Sequence, residues 1–124
     1  MHLALQTSIY VLKAVAEPTR LRLLSCLAVA PLFVSDLEAV LNLPQSTVSR
    51  HLKVLRDLGL AEDRRIASHV VYRLTIPAGA CGRMVRAVLD ALRSDPAFKA
   101  ESVAARARTR ALVESPTVMA VDGV

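Results

Sequence analysis

The sequence predicts a mainly helical fold with one small β-hairpin, in the order ααααββα, followed by a C-terminal tail helix. Hydrophobic residues make up 53% of the 124 residues but aromatic residues only 3%, so Leu, Val, Ala and Ile must build the core. Apolar residues recur at helical spacing in several separate segments. Only the segment near residue 70 is rich in β-branched residues, which favour strands.

The first two predicted helices are separated by an interruption at Pro18. Leu5, Ile9 and Leu12 lie at i, i+4 and i+7 and mark one face of the first helix. Pro18 suits the first turn of the second helix, because its missing N–H would be unpaired there anyway. The apolar stripe of the second helix continues until Pro31.

The third and fourth helices are predicted to be joined by a tight turn. The third begins at Val34 or Ser35 and ends at Asn42, a residue type that tolerates the left-handed conformation of sharp helix exits. The fourth helix spans residues 45–58, and Val48 and Leu52 lie on its apolar side. The residues of its polar side are Ser46, Ser49, Arg50 and Lys53.

The hairpin is predicted from residues 61–66 and 70–75, after a helix end at Gly59. The tip of this hairpin, residues 66–68, has no glycine, which disfavours a tight two-residue turn. A fifth, strongly amphipathic helix then continues to about Arg93.

Two regions are expected along the chain: one domain over residues 1–95 and a tail over residues 96–124. The tail is Ala-rich at first and is expected to be helical in part, with disorder from Ser115 onward. Arg106, Arg108 and Arg110 are spaced at i, i+2 and i+4, which scatters charge around a helix. We expect these arginines to serve solubility rather than binding, and the sequence assigns the tail no other role.

Charge and hydropathy favour a nucleic-acid partner over a membrane. The formal net charge is +5 and the pI is about 9.9, which suits a polyanion. The longest charge-free run, residues 23–35, has 13 residues, whereas a bilayer span needs about 20. The amino terminus lacks the basic segment of a secretory signal. We therefore expect a cytoplasmic protein with reduced cysteines and no membrane association.

Two short helices joined by a tight turn and followed by a basic hairpin make up a winged helix-turn-helix. The fourth helix is then the one that reads base edges in the major groove, and the hairpin is the wing. We expect DNA contacts from Gln45, Ser46, Thr47, Ser49, Arg50 and Lys53 of the fourth helix, and from Arg64, Arg65, His69 and Arg73 of the wing.

Two of these wing assignments have simpler alternatives. Arg64 and Arg65 belong either to a phosphate-binding wing or to a merely solvated face, and the first interpretation is favoured by their place in the fold. His69 is either a phosphate contact or an ordinary exposed strand residue.

Three blocks of sequence together resemble the ArsR/SmtB-type winged-helix repressors. They are LKAVAEPTRLRLL (residues 12–24), QSTVSRHLKVL (residues 45–55) and VYRL (residues 71–74), which occur in the order and spacing of that family. The resemblance implies a homodimer held by the first and fifth helices, binding of a double-stranded operator, and release when an effector binds.

The expected dimer contacts are Leu5, Ile9 and Leu12 of the first helix, and Val85, Val88 and Leu92 of the fifth. The residues themselves support a dimer, because the apolar stripe of the fifth helix is too long for a small helical core to cover alone.

The metal sites of this family are not supported by the sequence. Residues 34–37 read VSDL where metal sensors of the family carry a Cys-x-Cys motif, and the fifth helix has no His. His51 has no partner ligand at i±4, so a packed His is favoured over a metal ligand. We therefore expect no metal site and no cofactor, and no release of DNA by zinc, cobalt or nickel.

The candidate effector residues are Cys26 and Cys81. Some family members sense persulfides or oxidants with one thiol in the second helix and one in the fifth, so arsenicals, persulfides and oxidants are candidate signals. Both cysteines are also in phase with apolar stripes, which favours core packing. Thiol sensors of the family moreover carry the second-helix cysteine one residue earlier, about 100° around the helix.

Other functions remain as alternatives. One is a winged-helix DNA binder without any effector site, and another is a dimeric protein-interaction module. An enzyme is not expected and no catalytic residue is assigned, because Cys26, His51 and Asp36 are accompanied by no nucleophile elbow or Gly-rich loop.

Overall fold

A computed structural model describes residues 3–114, so the disorder expected from Ser115 onward lies outside the described residues. Six helices and three strands occupy this range. In chain order they are α1 (Leu3–Val15), α2 (Pro18–Leu27), β1 (Leu32–Phe33), α3 (Val34–Leu41), α4 (Gln45–Asp57), β2 (Ala61–Ile66), β3 (His69–Leu74), α5 (Ala80–Leu92) and α6 (Pro96–Glu114). The predicted fold, mainly helical with a small hairpin, is confirmed.

The sheet has one strand more than the predicted hairpin. Its order is β1-β3-β2 with antiparallel pairing throughout. Leu32 pairs with Tyr72, and Phe33 pairs with Val71. A two-residue strand is too short to show the alternation by which strands are predicted. The added strand ties the start of α3 to the wing.

The turn between α3 and α4 has the predicted form. Asn42 has a φ of 54° and ends α3 in the left-handed region. Pro44 is the extended residue before α4. At the start of α3, the Asp36 carboxylate accepts a hydrogen bond of 3.3 Å from the Phe33 N–H. Both ends of α3 are therefore set by local sequence.

The wing turn differs from the expectation. Ile66 pairs directly with His69, so Ala67 and Ser68 form a two-residue turn. Ala67 has a φ of 55°, a conformation that glycine adopts more easily. The expectation against a tight turn was therefore wrong, because Ala67 takes the left-handed conformation itself.

The two helices predicted to form the dimer seam bury different amounts of their apolar stripes. On α5, Val85 is only 1% exposed and packs in the core of its own chain, while Val88 and Leu92 are half-buried. On α1, Leu5 is 51% exposed and Ile9 36% exposed. The argument that α5 leaves an uncovered stripe therefore fails at Val85, whereas α1 does leave one.

The tail helix α6 packs on the rest of the domain. Ala105 is fully buried, and the Arg22 guanidinium donates to the Glu101 carboxylate at 2.6 Å, which joins α6 to α2. Arg108 lies 3.3 Å from Asp36 of α3. At least one tail arginine thus makes a structural contact, while the side chain of Arg110 lies outside the described residues.

Candidate nucleic-acid interface

The α4 helix is divided into a buried side and a free side. Val48, Leu52 and Leu55 are fully buried against the core. The predicted DNA contacts on the other side are partly or fully accessible: Gln45, Ser46, Arg50 and Lys53 are exposed, and Thr47 and Ser49 are half-buried. The helix therefore presents donors of several lengths to solvent on a rigid support.

The cations of this free side are unpaired. Within residues 3–114, neither Arg50 nor Lys53 forms an ion pair. Among the described residues, the only side-chain hydrogen bond on this surface is a long one, 3.4 Å from Gln45 Nε2 to Ser49 Oγ. These side chains are free to meet an external acceptor, such as a base edge or a phosphate.

His51 anchors α4 on the opposite side from its free surface. Its Nδ1 lies 3.4 Å from Arg20 Nη1 and 3.8 Å from Glu17 Oε2. Burial lowers the pKa of His51, nearby Arg50 and Arg20 lower it further, and Glu17 opposes them. The imidazole is therefore a packed, neutral group at neutral pH, as its sequence context favoured.

Sequence reasoning missed the residues around His51. Glu17 caps α2 by accepting a 2.8 Å hydrogen bond from the Arg20 N–H, and Arg20 Nε donates to the Ala14 carbonyl. The available signal was Pro18, which favours the first position of a helix and so places Glu17 at the N-cap.

The wing carries both free and paired charges. Arg64 faces Val71 and Arg65 faces Val70 across the β2–β3 ladder, so the two arginines lie on opposite faces of the wing. Both are exposed, and neither forms an ion pair with a residue that the structure describes. Arg73, by contrast, contacts Glu62 at 2.6 Å.

Acidic groups and one aromatic contact restrict the rest of the wing. Asp63 lies 2.9 Å from Arg56 at the end of α4, a contact that sequence reasoning missed. The His69 ring lies edge-on to Phe33, with 5.8 Å between centroids. A groove of about 390 Å³ lined by Gln45 and His69, among other residues, lies between α4 and the wing.

The two candidate effector cysteines have different environments. Cys26 is fully buried in the core, and burial raises its pKa to about 12. Cys81 is half-buried near the start of α5. Because the thiolate is the reactive form, the environment of Cys26 suppresses its reactivity at neutral pH.

Two further kinds of feature are absent from the part of the chain that the structure describes. No group of three or more His, Cys, Asp or Glu there is arranged to hold a metal ion. None of the helices within residues 3–114 has the length and apolar character needed to cross a membrane.

The chain is similar in sequence to a family of bacterial regulators. The model of the family described as bacterial regulatory protein, arsR family, matches residues 17–63. A biofilm growth-associated repressor from Agrobacterium fabrum is 44% identical over 63 residues, which cover 51% of this chain and 54% of that protein. The chain thus spans about half the length of this curated relative.

Solved structures extend the similarity over most of the described chain. HlyU from Vibrio cholerae matches with a TM-score of 0.64 and 33% identity, over 75% of this chain and 95% of that one. The transcriptional repressor BigR from Xylella fastidiosa matches with a TM-score of 0.61 and 31% identity, over 71% and 85% of the two chains. The family is one of regulators rather than enzymes, and this chain belongs to it: it is a winged-helix member of the ArsR family of bacterial regulatory proteins.

Proposed function

We propose that this protein is a homodimeric repressor that binds a palindromic DNA operator through α4 and the wing, and that an effector releases it. The observation that carries the proposal is the free side of α4, where Arg50 and Lys53 are exposed and unpaired within residues 3–114. A rigid helix with unpaired donors is what direct readout of the major groove requires.

The net charge and the wing support the same function. A formal charge of +5 favours a polyanionic partner. Arg64 and Arg65 extend free cations beyond the helix. The proteins from Agrobacterium fabrum and Xylella fastidiosa to which this chain is similar are named as repressors.

DNA binding is tested by titrating the promoter DNA next to the protein's own gene, because repressors of this type commonly regulate their own transcription unit. We expect the promoter to bind at least about 1,000-fold more tightly than a scrambled duplex at fixed salt. Equal affinity for both duplexes would contradict sequence-specific binding and would favour a nucleoid-type binder.

The homodimer is supported by the α1 patch, which consists of Leu5, Ile9 and Tyr10. These side chains are 51%, 36% and 67% exposed, and Leu5 and Ile9, at i and i+4, lie on one face of α1. Exposed apolar groups that adjoin one another on a small domain favour association. The patch keeps two of the six dimer contacts expected from the sequence and adds Tyr10.

Sedimentation of an Ile9→Asp variant tests the dimer. We expect a monomer at low micromolar concentration with an unchanged helical signal, because Asp in a closed apolar contact is costly. The matched control is Ala100→Asp on the exposed side of α6, which should stay dimeric. An intact Ile9→Asp dimer would place the interface elsewhere.

For the effector, we propose a thiol-reactive compound that acts first at Cys81. The support is the contrast between the half-buried Cys81 and the buried Cys26, whose pKa is about 12. The measurement is operator release by polysulfide and by diamide in wild type, Cys26→Ser and Cys81→Ser. Loss of release in Cys81→Ser is expected, whereas normal release in both variants would make the cysteines packing residues.

The second candidate function is a DNA binder that has no effector site. The burial of Cys26 favours it, since one of the two thiols is poorly placed to react. Operator binding that is unaffected in wild type by polysulfide, diamide and arsenite would support this candidate over the thiol switch.

A further inference from the structure

A cavity of about 490 Å³ lies between α2, α5, α6, the last residue of β3 and the chain segment that follows it. Its size is within the range of small-molecule sites. It is separate from the groove beside α4, and no residue lines both. The DNA-binding surface described above does not use it.

One residue of the cavity lining, Ser25, carries an unsatisfied polar atom. Ser25 of α2 is 9% exposed, and its Oγ is buried without a hydrogen-bond partner in the described structure. Buried hydroxyl groups are normally paired, so an unpaired one in a lining residue favours a partner that the described residues do not supply. A hydroxyl can donate to an anionic oxygen of a ligand.

The charged residues of the cavity indicate the sign of that ligand. Arg86 of α5 and Lys99 and Arg106 of α6 line it, and none of them forms an ion pair within residues 3–114. The single carboxylate in the lining, Asp90, lies 3.7 Å from Arg93. Three unpaired cations around one cavity favour a bound anion.

The remaining wall indicates that the anion has an apolar body. Aliphatic and aromatic side chains make up much of this wall: Leu74, Ile76, Leu89, Leu92 and Phe98. A bare inorganic anion would leave this surface unused, whereas a flat or chain-like organic acid would cover it.

We propose that this cavity binds a small amphiphilic organic anion, with its carboxylate held by Ser25 and the α5 and α6 cations. The apolar body of the ligand then lies against Leu74 and Ile76. This binding does not require an operator, so it stands independently of the function proposed above.

The proposal is tested by calorimetric titration of the full chain with three probes: 2-naphthoate, its neutral amide 2-naphthamide, and acetate. We expect 2-naphthoate to bind with a Kd of about 0.1–1 mM. The amide lacks the charge and acetate lacks the apolar body, so each should bind at least about tenfold more weakly. Equal binding of naphthoate and naphthamide, or no naphthoate binding up to about 5 mM, would overturn the proposal.

Variants locate the site. Ser25→Ala should weaken naphthoate binding about fivefold without harming the fold, because it removes an unsatisfied buried hydroxyl. The double variant Arg86→Gln/Arg106→Gln should weaken binding about tenfold or more. Arg83→Gln is the matched control, since Arg83 is an exposed α5 arginine outside the cavity. Naphthoate binding that is unchanged in both cavity variants would assign it to another surface, such as the α1 patch, and would overturn the proposal.

Discussion

The α4 helix and the wing are the two parts of the proposed DNA-binding surface, and they differ in how their charges are satisfied. On α4, Arg50 and Lys53 form no ion pair within residues 3–114. On the wing, Arg64 and Arg65 are likewise unpaired there, but Arg73 is held by Glu62 and Asp63 is held by Arg56. A free cation gains its full interaction energy from DNA, whereas a paired one must first give up its partner. We therefore expect α4 to dominate specific affinity and the wing to add a smaller, salt-dependent contribution.

The largest expected effect is at Arg50. Arg50→Ala should cost about 1–3 kcal/mol of specific operator binding, because the variant lacks a planar donor fork on the free side of α4. The measurement is a titration of operator and scrambled DNA at fixed salt. Arg83→Ala on α5 is the control, since it removes the same charge from another exposed surface. Unchanged operator affinity in a folded Arg50→Ala dimer would contradict the role given to α4.

The wing should give the second-largest effect. Arg64→Ala/Arg65→Ala should weaken binding about tenfold and about equally across operator variants, because phosphates carry no sequence information. The slope of log K against log salt should fall in magnitude by about 0.9 for each phosphate that the wing no longer neutralises. Because the two arginines lie on opposite faces of the wing, the single variants show which face meets the DNA. An unchanged salt slope would mean that the wing does not contact DNA phosphates.

A smaller effect tests the ion pair between Glu62 and Arg73 on the wing. Glu62→Gln frees Arg73 and removes a negative charge, so DNA binding should tighten about twofold to threefold. Both side chains are more than half exposed, which limits the size of this effect. The control is Asp90→Asn, which breaks the comparable exposed pair with Arg93 on α5. Weaker binding by Glu62→Gln would mean that the ion pair positions Arg73 for the DNA.

The residues show why some parts of this molecule follow from sequence and others do not. Asn42 and Gly59 end their helices as predicted. Each adopts the left-handed conformation, with φ values of 54° and 77°, and this conformation depends on the residue type at that one position. The burial of Val85 and the pairing of Arg22 with Glu101 depend on contacts between distant segments. Helical spacing shows that a stripe is apolar, but it does not show whether the same chain or a partner covers it.

The same limit applies to the candidate site. The polar face of α4 could be predicted because it lies on one regular element. The partners of wing residues could not, since Arg73 and Glu62 meet only through strand register, and Asp63 meets Arg56 from another element. Charge counts alone therefore overstate the number of cations on the wing that are free to bind DNA.

The smallest expected effect concerns His51, which packs α4 against the start of α2, and the pH dependence of stability. Burial lowers the pKa of His51 in the folded state, so the unfolded chain binds a proton more readily as pH falls below about 6.5. The neutral form therefore stabilises the fold fully above that pH, and this contribution is lost as pH falls toward the lower folded pKa. We expect the midpoint of urea unfolding to decrease between about pH 7 and pH 5 in wild type, with a smaller decrease in His51→Gln. His69→Gln is the control, because His69 is an exposed residue of the wing. If the unfolding midpoint depends on pH in the same way in His51→Gln as in wild type, other titratable groups cause the loss of stability at low pH, and the packing of α4 through His51 does not depend on pH.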